Sequence, residues 1–263
     1  MSTMSTKKKP VTTISTCNAD EIIVLDKDLM GELIGKVSFT ELTFMHIMRR
    51  KPTAGETAIL DSVLVTLMEH GMTPSAIATR MVHLGSPDSL QGAVAAGLLS
   101  VGSNLVGTME GMAKNLQEIT TAEEGVEAAA RRIARGFREA GKAIPGFGHP
   151  IHKPDDPRTP RLIEVAEANG ASGTYIAAMR VLSKEVDAAW GRHLTVNATG
   201  AIGTVLSEIG IPWNVMRGIA VVSRAAGLVG HLCEEMREPA GAFMWNLCEH
   251  EVAYAGEKKL GGK

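Results

Sequence analysis

The chain has 263 residues, a formal net charge of −2 and 44% hydrophobic residues, which is enough to bury a substantial core in one large domain or two small ones. The near-neutral balance excludes a general nucleic-acid binder, and three widely spaced cysteines (Cys17, Cys233, Cys248) supply neither a disulfide framework nor a metal site. No apolar run approaches the ~18 residues of a membrane span, and the polar start lacks the apolar stretch of a secretory signal. The expectation is a reduced, cytoplasmic protein with no membrane or nucleic-acid partner.

Taken in chain order, residues 1–16 read as a disordered tail whose Lys7-Lys8-Lys9 run is a solvated patch. Residues 17–28, with Ile22-Ile23-Val24-Leu25 at their centre, suit a short strand or extended arm. Helix starts then follow in series. Ser38-x-x-Glu41 and Thr53-x-x-Glu56 are capping boxes, and after the second Ile59, Val63 and Leu67 recur at helical spacing. Thr73-Pro74 and Ser86-Pro87 each set a capping hydroxyl before a proline suited to the first helical position. Thr121-x-x-Glu124 opens a charged helix to about Ala140, closed by Gly141.

Beyond residue 158, one helix runs from about Thr159 to Asn169-Gly170. A second, from about Gly173 to Trp190, carries Ile176, Met179, Leu182 and Val186 on one side. A third runs from Asn197 to Ile209 and ends at Gly210. The last, from about Trp213 to Arg237, is closed by Pro239. Almost nothing alternates with period two, so the fold class is all-α. Residues 122–192 hold much of the charge, whereas 88–113 and 195–230 are nearly apolar. That contrast divides the chain into a large helical domain (17–117 and 193–250), a smaller helical domain (118–192) and a C-terminal tail (251–263).

Between the helices lies Pro145-Gly146-Phe147-Gly148-His149-Pro150-Ile151-His152-Lys153-Pro154-Asp155-Asp156-Pro157-Arg158. Its glycines open backbone conformations that other residues avoid, and its prolines fix φ. It is either a rigid turn whose histidine packs, or a frame presenting His149, Lys153 and Arg158 to an anion. Three further polar residues sit in apolar surroundings. His70 falls at a helix end, as a C-terminal cap or a site imidazole. Glu110 has no other charge nearby in sequence, which predicts a raised pKa if it is buried. Arg224 stands alone in Ile219–Gly227 and needs a carboxylate from the protein or a ligand. Metal binding is set aside, because His149-x-x-His152 has a proline inside it and no cluster completes four ligands.

Gly146-Phe147-Gly148-His149-Pro150-Ile151-His152-Lys153 followed by Asp156-Pro157-Arg158 resembles the signature loop of citrate synthases. Glu69-His70-Gly71 through Arg80, Asn197-Ala198-Thr199, and Ser223-Arg224-Ala225-Ala226-Gly227 through His231 are similar to three other family segments in the same order. The chain's size, and Leu105 where the synthases place a histidine, look closer to citryl-CoA lyases and the C-terminal module of ATP-citrate lyase. The resemblance implies a citrate-synthase-like fold and retro-Claisen cleavage of citryl-CoA to acetyl-CoA and oxaloacetate. Its alternatives are acyl-CoA condensation with oxaloacetate or another 2-oxoacid, and a noncatalytic CoA- or dicarboxylate-binding subunit. It implies His149, His70, Glu110 and Thr199 at the chemistry, with Arg158, Arg224, Arg237, Arg80 and Asn197 on the substrate. Lys153, Gly146 and Gly148 would lie at CoA. It also implies a homodimer or larger homo-oligomer, with the CoA thioester as substrate and no permanently bound cofactor. One departure is serious: the family's catalytic aspartate falls on Thr199.

Overall fold

The computed structural model describes residues 9–256. Among the described residues eleven α-helices dominate, and three short strands precede them: β1 (Ser15–Cys17), β2 (Ile22–Val24) and β3 (Lys27–Asp28). The strands form an antiparallel sheet in the order β1-β2-β3, with Ser15 opposite Val24 and Ile23 opposite Asp28. The arm expected at 17–28 is therefore real, and it recruits Ser15 and Thr16 from the segment expected to be disordered. The reason is local: Ser15 Oγ donates to Ile23 O at 2.8 Å, and Arg49 Nη2 donates to Thr13 O at 2.7 Å. The Lys7-Lys8 part of the lysine run lies outside the described residues.

Both capping boxes form. Ser38 starts α1 (Phe39–Met48) and Thr53 starts α2 (Ala54–Met68), each accepting from the backbone of a glutamate that bonds back to the cap. Helix α3 (Pro74–Gly85) begins on its proline, but the Thr73 hydroxyl bonds to Ser75 Oγ instead of capping. Ser86-Pro87 does not open a helix. Ser86 is the C-cap of α3, and α4 (Leu90–Leu99) starts after Ser89. Likewise Thr121 ends α5 (Thr108–Thr121), its hydroxyl donating to Gln117 O, and α6 (Val126–Glu139) starts after Gly125. The positive φ of Gly125 (+88°) turns the chain between the two.

Helices α7 (Arg158–Ala168), α8 (Thr174–Trp190) and α9 (Ala198–Glu208) follow as expected, with Gly170, Gly191 and Gly210 in left-handed conformations past their ends. Asn197 caps α9 by accepting from Gly200 N. A short 3₁₀ turn at Trp213–Val215 leads into α10 (Met216–Glu235). Together these 23 residues contain an 18-residue window with a mean hydropathy of 1.2, which reaches the length and composition of a membrane span, against the expectation of no such run. Packing of α10 against α2, α3, α4 and α5, together with the buried Arg224 within it, makes it a core helix of this fold. Helix α11 (Gly241–Glu251) was not expected. It packs on α3 and leaves Phe243, Trp245 and Leu247 exposed.

The centre of the core is α9, which packs against α2, α5, α7 and α8. Ala201, Ile202, Thr204, Val205 and Leu206 are fully buried along it, so truncating Leu206 to alanine would cost about 2–5 kcal/mol. One continuous cluster of buried side chains runs from Phe44 through Ile133 and Leu182 to Ala220, across both of the ranges assigned from charge. Glycines let α9 approach its neighbours: a Cβ on Gly200 would overlap Gly146 O, and one on Gly203 would overlap Met109 O.

Candidate functional site

The loop of residues 145–157 is held as a rigid frame. Gly146 and Gly148 have φ of +84° and +79°. Gly148 N donates to Thr195 O at 2.7 Å, Asn197 N donates to Gly146 O at 3.0 Å, and Phe147 bridges Val196. Asn197 Nδ2 adds a bond to Gly148 O at 2.8 Å. The loop is thereby stitched to the N-terminus of α9, and a cleft of about 750 Å³ opens between it, the end of α2 and the 100–108 segment.

His70, His149, Arg158, Asn197, Thr199, Arg224 and Gly148 all line this cleft. His149 Nδ1 accepts from the amides of Ile151 (3.1 Å) and His152 (3.0 Å). Two donors on Nδ1 place the ring proton on Nε2, which makes that nitrogen a hydrogen-bond donor. Burial lowers the pKa of His149, and the neighbouring His152 and Arg158 add to the shift. His70 is lowered too, by burial first and then by Arg158, His152 and Arg224. Both rings are therefore neutral at pH 7.

The rings of His70, His149 and His152 meet, with centroids 4.4–6.0 Å apart and ligand atoms within 4.8 Å of one another. Sequence spacing gave no hint of this cluster, because His70 comes from the end of α2. The donor set suits a metal poorly. Coordination through His149 Nε2 would push its proton onto Nδ1, against two backbone N–H groups, while Arg158 and Arg224 repel a cation.

Two arginines supply the charge. Arg158 is locked by Asp156, which accepts from its Nε (2.9 Å), Nη2 (2.8 Å) and backbone N (3.1 Å) and also from Ala198 N (3.0 Å). Burial alone would raise the Asp156 pKa, but these donors hold it down at about 2. Arg224 is buried, its Nη1 has no hydrogen-bond partner, and Glu69 lies 3.6 Å away. Burial lowers its pKa against the pull of Glu69. Arg224 also lines the cleft, and a guanidinium on a cleft wall is a receptor for a ligand carboxylate.

The Thr199 hydroxyl donates to Asn197 Oδ1 at 2.6 Å and meets Thr108 Oγ1 at 2.6 Å. Thr108 lines the cleft as well and escaped the sequence reading; its only signal is its place as the first residue of α5 after a glycine. Among the described residues lining the cleft, none is aspartate or glutamate.

Several expected site residues lie elsewhere. Glu110 is not isolated: Arg217, 107 positions away in sequence, holds its Oε2 at 2.5 Å, outside the cleft lining. Arg80 is fully buried behind the cleft, bonded to Glu234, Glu235 (2.6 Å) and His231 Nδ1 (2.9 Å). Its donors are taken up by protein partners, and it does not line the cleft. Arg237 is exposed beyond the end of α10, and Lys153 is exposed and not among the cleft-lining residues. Gly146 is a packing glycine, since a Cβ there would sit 2.9 Å from Gly200 Cα.

Such a helical fold with a cationic, histidine-bearing cleft defines a class, and comparison with known proteins identifies it. Residues 35–243 match the family model described as citrate synthase, C-terminal domain, and the chain belongs to that family. The structure is similar to that of citryl-CoA lyase from Hydrogenobacter thermophilus, with a TM-score of 0.85, 31% identity, and coverage of 97% of this chain and 98% of the other. Curated relatives include the 2-methylcitrate synthase of Shewanella oneidensis (28% identical over 194 residues, 73% of this chain). Another is ATP-citrate synthase subunit 1 of Sordaria macrospora (25% over 260 residues, 90% of this chain). The matches span only 50% and 37% of those two relatives' own lengths.

Proposed function

We propose that the chain cleaves citryl-CoA to acetyl-CoA and oxaloacetate. The observation that carries this reading is the near end-to-end similarity to a citryl-CoA lyase. The cleft supports it. Arg224 and Arg158 bind carboxylates of the citryl group, and His149 Nε2–H donates to the C3 oxygen. His70, neutral and partly solvated, takes the C3 hydroxyl proton as the C–C bond breaks. The bond's electron pair passes to the acetyl carbon as a thioester enolate, which then takes up a proton. Preorganised donors and fixed charges at the developing oxyanions supply the stabilisation. The CoA thioester is the substrate and no resident cofactor takes part. A homodimer or larger homo-oligomer belongs to the same reading, supported by exposed Phe243, Trp245 and Leu247 on α11 and Val222 and Val229 on α10. The cytoplasmic location rests on the sequence alone.

A second reading, a noncatalytic CoA- or dicarboxylate-binding subunit, is favoured by the carboxylate-free cleft and by Thr199. The deciding experiment supplies citryl-CoA and follows oxaloacetate, then supplies acetyl-CoA with oxaloacetate and follows free thiol. The lyase reading expects oxaloacetate from citryl-CoA, loss of that activity in His149→Ala, and no thiol release. Thiol release would instead establish the condensing alternative, and binding without turnover the noncatalytic one.

A further inference from the structure

Behind Arg224 lies a polar spine that the proposed chemistry does not use. Glu69, the residue after α2, accepts from the His70 amide through Oε1 at 2.8 Å, and the same oxygen is the one 3.6 Å from Arg224 Nη1. Its other oxygen lies 2.9 Å from His231 Nε2, about two turns of α10 beyond Arg224, though off the axis of a formed hydrogen bond. His231 Nδ1 accepts from Arg80 Nε (3.1 Å) and Nη2 (2.9 Å). Arginine only donates, so the His231 proton sits on Nε2, facing Glu69. Glu235 fixes Arg80 in turn, and its Oε1 also accepts from Ala240 N (3.0 Å) and Gly241 N (2.6 Å), where α11 begins.

Gly227 makes room for this arrangement. A Cβ there would overlap Met68 O and come within 3.2 Å of Glu69 Oε2. The end of α2 can therefore lie flat on α10 only because residue 227 has no side chain.

The geometry points to Glu69 as a positioning residue: it aims the Arg224 guanidinium into the cleft, and the Arg80–His231 pair holds it in register. Arg224 has no hydrogen bond at Nη1, so the Glu69 carboxylate 3.6 Å away is the charge that orients that nitrogen. Nη1 itself is sealed from solvent, so a ligand meets the part of Arg224 that lines the cleft. The inference rests on the cleft reading above for the ligand class, a dicarboxylate at Arg224.

The test is calorimetric binding of oxaloacetate and, separately, of CoA to the full chain, for wild type, Glu69→Gln, Glu69→Asp, His231→Gln and Arg224→Lys. Removing the Glu69 charge should weaken oxaloacetate binding about tenfold, because the group is nearly half exposed and its field is screened. CoA affinity should stay unchanged, and Glu69→Asp should recover part of the loss. In the Arg224→Lys background Glu69→Gln should cost less than in wild type, since a shared interaction is removed only once. A merely structural Glu69 would lower the Tm or both affinities together. Retained oxaloacetate affinity in Glu69→Gln, or equal loss for CoA, overturns the positioning role alone. A wild type that binds CoA but no dicarboxylate overturns the cleft reading itself.

Discussion

Replacing Asp156 by asparagine perturbs the buried carboxylate that joins the loop, Arg158 and α9. Its side chain has no exposed surface, and it accepts four hydrogen bonds, three from Arg158 and one from Ala198 N. The amide retains one acceptor oxygen and turns an NH₂ donor toward groups that themselves donate. The drop of the Asp156 pKa from 3.8 to about 2 corresponds to about 2 kcal/mol at neutral pH. That sits below the ~3–5 kcal/mol for breaking a fully buried pair, as expected when Arg158 keeps 28% of its side-chain surface exposed. Because the folded-state pKa is depressed, the stabilisation is present above the unfolded value of ~3.9 and disappears as pH falls through the folded value of about 2. Urea unfolding of wild type and Asp156→Asn should therefore differ by about 2 kcal/mol at pH 7 and converge toward pH 2. The variant should also bind oxaloacetate more weakly, with Arg158 no longer held. A difference under about 0.5 kcal/mol at pH 7, or one that does not shrink in acid, would falsify this account of the loop.

Other expectations follow from the same geometry. Gly200→Ala forces a methyl into Gly146 O and should cost about 1–3 kcal/mol by thermal unfolding; an unchanged Tm would show that the seam can open freely. His193 bonds to Asp187 and Asp155, which raise its pKa. Its contribution is thus full below pH ~6.5 and lost as pH rises through its folded value, so wild type minus His193→Ala stability should shrink from pH 5.5 to 8.5. Glu110→Gln should keep turnover within about threefold while loosening the 103–110 segment, because Arg217 binds this carboxylate outside the cleft; a loss of about a hundredfold would return Glu110 to the chemistry. Since the pKa values of His70 and His149 are lowered, cleavage should persist as pH drops below ~6.5, and a fall centred at or above that value would contradict neutral imidazoles.

Local rules carried much of the fold. Ser38, Thr53 and Asn197 cap helices because their partners lie within three residues. Likewise the loop glycines announced left-handed backbone before any contact was known. The same rules misplaced Ser86-Pro87 and Thr121, where a hydroxyl near a proline or glutamate serves the end of the preceding helix instead. For the site, composition and spacing marked the loop and Arg224 as candidates, and the family resemblance supplied their roles. What remained hidden depended on long-range pairing: Glu110 with Arg217, Arg80 with Glu234 and Glu235, and His152 with His70 and His149. A charge that stands alone in sequence is not alone in space, so its local surroundings overstated how exceptional Glu110 is.

The bare-backbone crossing of Gly146 and Gly200 has a consequence for mutational scanning. Side chains are excluded there as firmly as they are at Gly203 and Gly227, so a library selected for activity would be depleted at these four glycines as severely as at His149. Sensitivity by itself would then draw a map of the seam rather than of the chemistry. Scoring the same library for abundance would separate the two groups. The glycine variants should be depleted from the folded pool, whereas the histidine variants should accumulate in it as folded protein without activity.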